Sequence, residues 1–303
     1  MTGGGGFIGA RLVRALSAAG AQVRTLLGPQ GSDVVMPPAG VPWYRGEVDD
    51  PAALTQVLRD AETVVHLAGP PSVAQSFRSP RSYARIHVGG TAAVVEACTR
   101  LTVRRLVYVS SAEVYGTPRQ NPVTEDAPCE PRSPYAAAKV GGEAFVRAGA
   151  MAAGFEVVIC RPFLVYGPGM APTSLVSSLI NQAERSNAIE VQDPRPIRDY
   201  CFVDDVVAAL VRSCRIALPE SIRVYNLGSG TGMAVGELAE RILSLRWGGG
   251  SVRAAAHRDR PGRADILELV ADTSRAAREL GWRAEIGIEH GLTEMLRSSA
   301  HGE

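Results

Sequence analysis

The chain has 303 residues, 46% of them hydrophobic and 21% charged, with a formal net charge of +1. This composition is that of an ordinary globular protein with an apolar core, and the balanced charge gives no reason to expect nucleic acid or an anionic membrane as a partner. The five cysteines and five histidines show no Cys-x-x-Cys pair and no metal-ligand spacing, so we predict neither disulfides nor a metal site. We recognise no signal peptide and no apolar run that could span a bilayer, and we expect a cytoplasmic protein.

A glycine-rich segment opens the chain, with Gly3, Gly6 and Gly9 spaced three residues apart and an amphipathic run at 10–19 directly after them. Glycines at such positions permit a tight turn and a close approach of backbone amides to a pyrophosphate, and the N-terminus of the following helix favours the anion. The segment therefore predicts a dinucleotide-binding turn. A flexible terminal tag is the alternative interpretation.

The strand that should precede this turn is missing from the pattern. In dinucleotide-binding folds the glycine turn follows a buried strand, but here only Met1 and Thr2 stand before it. We expect the first strand to be truncated by about five or six residues. If the chain does begin at Met1, we expect weak cofactor binding and low stability.

The second predicted strand, 21–27, ends in Leu27. An acidic residue normally stands there and accepts hydrogen bonds from the adenosine ribose. Arg24 lies within the strand, so no pocket for a 2′-phosphate is evident. The sequence therefore favours neither NAD nor NADP at this position.

Strands and helices alternate along the remainder of the chain. Strands are predicted at 41–46, 63–69, 104–110, 156–162 and, as the last strand, 224–227. Helices are predicted at 51–59, 80–100, 134–154, 175–185, 203–215, 235–245 and from 273 onward. Such alternation indicates an α/β protein with a parallel, doubly wound sheet.

Two serines, Ser110 and Ser111, stand at the end of the predicted strand 104–110. Ligands of open α/β sheets bind beyond the carboxyl ends of the strands. A serine at this edge lies where chemistry is expected, although a helix or turn cap explains a single serine equally well.

A tyrosine and the only lysine of the chain follow, at Tyr135 and Lys139. Residues four apart share one face of a helix, so the phenol and the ammonium are predicted to lie side by side. The spacing indicates a tyrosine whose acidity is set by a neighbouring cation. A tolerated surface lysine on an alanine-rich helix is the alternative.

Together and in this order, the motifs resemble the extended short-chain dehydrogenase/reductases that act on nucleotide sugars, the NAD-dependent epimerase/dehydratase family. The matching segments are 2–9, 66–69, 110–116, 135–139, 161–169, 198–205, 226–230 and 260–262. The resemblance covers nearly the whole chain. It implies a Rossmann-type NAD-binding domain, 1–162 with 199–227, and a smaller C-terminal α/β nucleotide-sugar-binding domain, 163–198 with 228–303.

The resemblance also implies how the residues act. Tyr135 would be the general base on a sugar hydroxyl, with its pKa lowered by Lys139 and by the nicotinamide charge. Ser111 would bind the same oxygen, and Lys139 would also hold the nicotinamide ribose. The implied cofactor contacts are Gly3, Gly6, Phe7, Ile8, Gly9, Glu47, Val48, Leu67, Ala68, Gly69, Tyr135, Lys139 and Phe163. The implied substrate contacts are Ser111, Glu113, Tyr135, Arg198 and Arg260.

The reaction is less well specified by these motifs. Family 4,6-dehydratases carry Asp-Glu after the hydroxyl residue and UDP-glucuronate decarboxylases carry Ser-Glu, where this chain has Ala112 and Glu113. Because the acid is absent, a 4-epimerase is our first interpretation. The alternatives are a UDP-glucuronate decarboxylase, a reductase of a keto-deoxysugar, and an inactive dinucleotide-binding homologue.

The expected partners follow from the same resemblance. The substrate would be a UDP- or dTDP-sugar, and the chain would form a homodimer through the helices at 80–100 and 135–154. His87 and Leu164 each replace an asparagine that is usual in the family. These departures favour a specialised sugar over UDP-galactose.

Overall fold

The computed structural model describes residues 1–32, 34–255 and 265–300. Its helices are α1 (Phe7–Ala18), α2 (Pro51–Leu58), α3 (Val73–Arg78), α4 (Pro80–Ala84), α5 (Gly90–Arg100), α6 (Pro134–Ala153), α7 (Leu175–Ala183), α8 (Val203–Ser213), α9 (Val235–Trp247) and α10 (Ile288–Ala300). Its strands are β1 (Thr25–Leu27), β2 (Trp43–Arg45), β3 (Thr63–His66), β4 (Arg105–Val109), β5 (Glu156–Pro162), β6 (Leu164–Tyr166), β7 (Ala188–Val191), β8 (Ile197–Phe202), β9 (Ile222–Leu227), β10 (Gly232–Ala234), β11 (Ser251–Ala254) and β12 (Glu268–Leu269). A 3₁₀ helix, Ala112–Tyr115, follows β4, and π-helical segments lie at Arg85–Gly89 and Ala276–Leu280.

The central sheet is parallel. β3, β4, β5 and β9 pair in that order, and β1 pairs with β2. Thr2 forms parallel bridges to both Leu26 in β1 and His66 in β3. Residues 1–2 thus lie where the first strand was expected and join the two groups of strands. The predicted parallel α/β sheet is confirmed.

Helices cover both faces of this sheet. Successive side chains of a strand point to opposite faces. Leu106 and Tyr108 of β4 lie in one buried cluster with residues of α2, α5 and α6, whereas Val107 and Val109 lie in another with residues of α1 and α8. The sheet is therefore doubly wound, and its two apolar faces form two large parts of the core.

The ends of two helices follow directly from residue types. Asp50 caps α2 by accepting from first-turn amides, and Pro51 occupies the first helical position. Ser133 caps α6 in the same way, with Pro134 next, and Gly154 ends the helix at φ 78°. A positive φ favours glycine because it lacks a Cβ. These signals fix the helix that carries the tyrosine and the lysine.

Some predicted strands differ from those observed. The predicted strands 21–27 and 41–46 shorten to the three residues of β1 and β2. The prediction that 224–227 is the last strand was wrong, because β10, β11 and β12 follow it. These three strands are two to four residues long and largely exposed, so they lack the continuous buried run by which a strand is recognised in sequence.

The predicted helix at 80–100 is interrupted by the π-helical segment Arg85–Gly89. Gly89 and Gly90 stand together at its end, and glycine has a low helix propensity. π-Helical turns inside α-helices are frequent at functional sites. The segment carries the buried side chain of His87.

A smaller sheet is centred on β8. β10 pairs with β8 in the antiparallel sense, β6 and β12 pair with it in the parallel sense, and β7 pairs with β11. One buried cluster contains side chains from the central sheet, such as Val158 of β5, together with side chains from the smaller sheet's side, such as Leu238 of α9. The core is therefore continuous between the two sheets. The division of the chain into two domains at the predicted boundaries therefore stays a prediction.

The described part of the chain has no candidate metal centre and no candidate membrane span. Within it, no helix is long and apolar enough to cross a bilayer. It also contains no group of three or more His, Cys, Asp or Glu residues that could hold a metal ion. All five cysteines are free.

Gly142 permits α6 to pack closely on its neighbours. A Cβ there would overlap the Tyr108 hydroxyl and lie 3.0 Å from the His87 carbonyl oxygen. We predict that Gly142→Ala lowers the free energy of unfolding by about 1–3 kcal/mol, because overpacking outweighs the better helix propensity of alanine. Chemical denaturation measures this change.

The control is Gly89→Ala, since a Cβ at Gly89 meets no described atom within 4 Å outside its own helix. We expect this variant to be neutral or more stable by about 0.4–1 kcal/mol. Equal effects of the two substitutions would contradict the packing argument.

Candidate active site

The glycine-rich turn forms a narrow backbone cradle. Gly3 has φ 75°, and a Cβ on it would lie 2.8 Å from the Ala68 nitrogen. A Cβ on Gly9 would overlap the Gly3 carbonyl oxygen, which accepts a hydrogen bond from the Gly6 amide at 3.1 Å. No side chain of the described residues caps the N-terminus of α1. The turn thus leaves room and amide donors for a pyrophosphate, so these residues fit a bound dinucleotide.

A buried chain of hydrogen bonds runs beneath the cofactor edge. The Ala68 amide lies 3.4 Å from Thr2 Oγ1, Thr2 Oγ1 lies 2.7 Å from His66 Nδ1, and His66 Nε2 lies 3.1 Å from Thr91 Oγ1. Thr91 Oγ1 donates to the His87 carbonyl at 2.6 Å. Because Thr91 gives its one hydroxyl proton to a carbonyl, its oxygen must accept from His66 Nε2. His66 therefore carries its proton on Nε2, and its Nδ1 accepts from the Thr2 hydroxyl, which itself accepts from the Ala68 amide. Burial, with the charge of Lys139 as a smaller cause, lowers the pKa of His66 to about 3. His66 is therefore a neutral core residue.

The predicted pair, Tyr135 and Lys139, is buried on α6. Lys139 Nζ donates to the Val109 carbonyl at 2.8 Å, and it lies 5.3 Å from the Tyr108 ring centre and 6.0 Å from that of Tyr135. Burial lowers the pKa of Lys139 to about 8, and the charge of Glu143 opposes this effect. The ammonium is thus held at the carboxyl end of β4, beside the phenol.

Burial raises the pKa of Tyr135 to about 12. The Ser111 hydroxyl lowers this pKa, whereas Glu113 and Tyr83 raise it. The chain's own groups therefore give Tyr135 a raised pKa, because removing the phenolate from water is the largest effect. The expected lowering by Lys139 together with the nicotinamide charge stays a prediction. Any net lowering must come from a positive charge brought by a ligand.

Ser111 lies at the start of the 3₁₀ helix and performs the capping role that was its alternative interpretation. Its Oγ accepts from the Glu113 amide at 3.2 Å. Its hydroxyl also lowers the pKa of Tyr135 by hydrogen bonding to the phenol oxygen. The Glu113 carboxylate is half-buried and has no hydrogen-bond or ion-pair partner among the described residues. Ala112 is buried in a small apolar cluster. A hydroxyl, a phenol and a free carboxylate thus meet at this edge, and no acid stands at 112.

His87 is wedged between the cofactor edge and Tyr135. Its Nε2 donates to the Pro70 carbonyl at 3.0 Å, and its ring centre lies 5.4 Å from that of Tyr135 in an edge-on arrangement. Gly69 has φ 136°, and a Cβ there would overlap the imidazole. Burial lowers the pKa of His87 to about 3. From the sequence, His87 stood out only because it replaces the asparagine usual in the family. Its packing on Tyr135 was not predicted.

The remaining implied cofactor contacts lie around this edge. Leu67 and Ala68 border Gly3, and Val48 is buried against Gly90. Glu47 forms an ion pair with Arg85 at 3.4 Å, so part of its charge is already used. The buried Phe163 donates its amide to the Leu227 carbonyl, at the end of β5.

The implied substrate contacts are only partly placed. Arg198 lies on β8 and donates to the Ile197 carbonyl at 2.9 Å. Its neighbour Asp199 is buried and accepts from the amides of Ser229, Gly230 and Ala271. This carboxylate therefore ties β8 to two loops. Arg260 lies outside the described residues.

Sequence analysis missed a buried polar network behind the site. Glu143 accepts from Ser110 and Arg161, and Arg161 donates to the Tyr115 hydroxyl. Tyr115 in turn donates to Asn226 at 2.6 Å. The only sequence signal was the spacing of Glu143, four residues after Lys139.

Comparisons with known proteins agree with this geometry. A family model described as the NAD dependent epimerase/dehydratase family matches residues 1–228. A UDP-glucose 4-epimerase of Streptomyces lividans is 32% identical over 322 residues, which cover 100% of this chain and 97% of the epimerase. A dTDP-glucose 4,6-dehydratase of Streptomyces niveus is 30% identical over 310 residues, covering 98% of this chain and 90% of the dehydratase.

Among solved structures, the NAD-dependent NDP-hexosamine 5,6-dehydratase TunA, involved in tunicamycin biosynthesis, has 35% sequence identity and a TM-score of 0.90. The match covers 100% of this chain and 97% of that chain. The similarity indicates a Rossmann fold and NAD as the cofactor, which decides the choice left open at Leu27. Epimerases and dehydratases are about equally similar, so the step after oxidation is not decided by similarity.

The two buried histidines should make the protein sensitive to acid. The folded-state pKa of His87 is about 3 against an ordinary value of 6.5, so its contribution to stability is complete above pH 6.5 and is lost as the pH falls. Between about pH 6.5 and about pH 4.5 the loss is about 2 kcal/mol for such an imidazole. We predict that the free energy of unfolding of His87→Asn falls by about 2 kcal/mol less over this range than that of the unsubstituted protein.

Denaturant unfolding of both proteins across the range measures the difference. His66 remains in both proteins, so its contribution cancels. Parallel stability curves would contradict the buried neutral state of His87.

Proposed function

Since this chain belongs to the NAD-dependent epimerase/dehydratase family, we propose that it is a nucleotide-sugar 4-epimerase acting on a UDP- or dTDP-sugar. The observation that carries the proposal is the meeting of Tyr135, Lys139 and Ser111 at the carboxyl end of β4, with the buried Ala112 where a dehydratase has an acid. Oxidation at C4 and return of the hydride need no further acid.

NAD, when bound, supplies the hydride acceptor for C4 of the sugar and later returns the hydride. The chain's own groups handle the proton. Tyr135 removes it from the C4 hydroxyl, and Ser111 donates a hydrogen bond to the same oxygen. Because burial raises the pKa of Tyr135 to about 12, this step depends on nearby positive charge, of which Lys139 is the chain's contribution. Tyr135 would return the proton to the same oxygen once the keto sugar presents its other face, which gives the epimer.

The NAD site would be formed by the glycine turn and the strand ends beside it. Gly3, Gly6 and Gly9 provide the space and the amides for the pyrophosphate. Lys139 would hold the nicotinamide ribose through its ammonium. Leu27 is buried and stands where a carboxylate is usual, so the adenosine ribose would lack that acceptor.

A lyase is the second candidate. Glu113 has no partner among the described residues and stands close enough to raise the pKa of Tyr135. A free carboxylate at this edge could remove a proton from C5 of a 4-keto sugar, as an elimination requires. A decarboxylase shares the Glu113 position, and a reductase of a keto-deoxysugar is the remaining alternative.

One assay distinguishes these reactions. The protein, with its bound nucleotides identified by mass spectrometry after denaturation, is incubated with UDP-glucose, UDP-glucuronate, a UDP-hexosamine and dTDP-glucose. An epimerase leaves the substrate mass unchanged and alters the proton couplings at C4. Loss of water indicates a dehydratase, and loss of carbon dioxide indicates a decarboxylase. No turnover by NAD-loaded protein would refute the enzyme proposal.

Removal of the tyrosine hydroxyl tests the mechanism. We predict that Tyr135→Phe lowers kcat by about 10²- to 10⁴-fold, because general-base catalysis is lost, while the fraction of protein carrying NAD stays high. Tyr166→Phe is the matched control, since that hydroxyl is buried without a partner in the described part of the chain. Full activity of Tyr135→Phe would refute the assigned base.

We also propose a homodimer in which α5 and α6 pack against the same helices of a second copy. Phe145 and Met151 on α6 are exposed by 44% and 82%, although both are large and apolar. We predict that light scattering gives the mass of a dimer and that Phe145→Glu shifts it toward the monomer, because a buried unpaired carboxylate is costly.

Leu267→Glu is the control for the dimer, as Leu267 is 57% exposed but lies outside α5 and α6. It should leave the mass unchanged. A monomer mass for the unsubstituted protein would refute the dimer.

A further inference from the structure

Glu143 lies one helical turn beyond Lys139 on α6 and is almost fully buried. Its Oε1 accepts from Ser110 Oγ at 2.6 Å and from Arg161 Nε at 2.9 Å, and its Oε2 accepts from Arg161 Nη2 at 2.6 Å. The carboxylate thus receives three hydrogen bonds, two of them as a bidentate pair. Such pairs have a strict geometry.

Arg161 extends this geometry across the sheet. Its Nη1 donates to the Tyr115 hydroxyl at 2.9 Å and to the Glu125 carbonyl at 3.1 Å. Since the Tyr115 hydroxyl accepts from the guanidinium, its own proton is directed to Asn226 Oδ1. The guanidinium also lies 4.8 Å from the Tyr115 ring centre. β5, β9 and the 3₁₀ helix are therefore joined by one cation.

Both halves of the candidate active site are attached to this pair. Glu143 shares α6 with Tyr135 and Lys139. Ser110 directly precedes Ser111, and Tyr115 ends the 3₁₀ helix that Ser111 caps. A displacement of Glu143 would therefore alter the distance between the serine and the tyrosine, although Glu143 itself belongs to neither set of predicted contacts.

We propose that Glu143 is a positioning residue for the reaction, which holds Ser110 and Arg161 behind the reactive hydroxyls and balances the buried charge of Lys139. The catalytic part rests on the proposed function. The charge-balancing part concerns the chain alone.

The charges around Lys139 support the second part. The groups that face it are Tyr135 and Glu143 from α6, Tyr108 from β4, His66 from β3 and His87 from the π-helical segment. Both imidazoles are neutral at neutral pH because burial lowers their pKa values, and the tyrosines are neutral because burial raises theirs. Within the described part of the chain, Glu143 is the charged group that stabilises the ammonium, which also donates to the Val109 carbonyl. Its neutralisation would leave two buried cations, Lys139 and Arg161, without a counter-ion.

The experiment uses the fact that Lys139 is the only lysine. Protein labelled with carbon-13 at the lysine ε-carbon gives one side-chain resonance, and its titration reports the pKa of Lys139 without any assay of activity. For Glu143→Gln we expect a midpoint lower than the unsubstituted value by about one pH unit or more. Where turnover is observed, kcat should fall by about 10- to 100-fold with KM changed far less, and its alkaline limb should move to lower pH.

Glu156→Gln is the matched control. Glu156 pairs with the buried Arg105 at 2.7 Å, at the start of β5 and thus at the opposite end of the strand from Arg161. This variant should lose stability like Glu143→Gln but keep the lysine midpoint and the pH profile. An unchanged lysine midpoint in Glu143→Gln would overturn the charge-balancing part, and unchanged kcat would overturn the positioning part.

A double variant separates positioning from folding. Glu143→Leu with Arg161→Met removes both charges, and apolar replacements of buried ion pairs are often as stable as the pair. We expect its denaturation midpoint to return toward that of the unsubstituted protein while kcat stays low. Recovery of kcat together with stability would show that Glu143 acts only on folding. Failure of every substrate with the unsubstituted protein would refute the proposed function, and the lysine titration would still decide the charge-balancing part.

Discussion

Three residues, Met1, Thr2 and Gly3, hold the cofactor half of the central sheet together. The Thr2 amide donates to Val65 at 3.0 Å and the Leu67 amide donates to the Thr2 carbonyl at 3.2 Å, while the Gly3 amide and the Met1 carbonyl bond to Leu26. β1 and β2 join β3 only through these bonds in the described part of the sheet. The Thr2 side chain adds the hydrogen bond to His66. The same residue thus positions the glycine turn through its backbone and takes part in the buried hydrogen-bond chain through its hydroxyl.

Burial decides the electrostatics of the site more than any single charge does. It keeps the imidazoles and the phenols neutral and brings the pKa of Lys139 to about 8. The ammonium therefore stands among neutral groups, with Glu143 on one side and Tyr135 on the other. A charged group brought near such a site interacts strongly with Lys139 and Tyr135, because the surrounding groups are neutral and the local dielectric constant is low. The binding of a charged ligand should therefore shift the pKa values of both residues.

Local signals determined what the sequence could predict. Ser133, Pro134 and Gly154 fixed α6, and the continuous apolar run of β5 fixed that strand. The parallel sheet and the pairing of Tyr135 with Lys139 followed from periodicity. The Glu143–Arg161 pair, the wedge formed by His87 and the short strands β10 to β12 depend on residues far apart in the chain, and no local pattern encodes such contacts. The raised pKa of Tyr135 was also beyond reach, because spacing reveals a neighbouring charge but not the loss of water around it.

The imidazole of His87 fills the space that a side chain on residue 69 would need. The imidazole lies where a Cβ on residue 69 would be, and its Nε2 proton is already committed to the Pro70 carbonyl. A side chain at position 69 therefore requires the imidazole to move, whereas glycine there permits different residues at position 87. Among related chains, a side chain at the position of Gly69 should accompany a smaller or differently directed residue at that of His87.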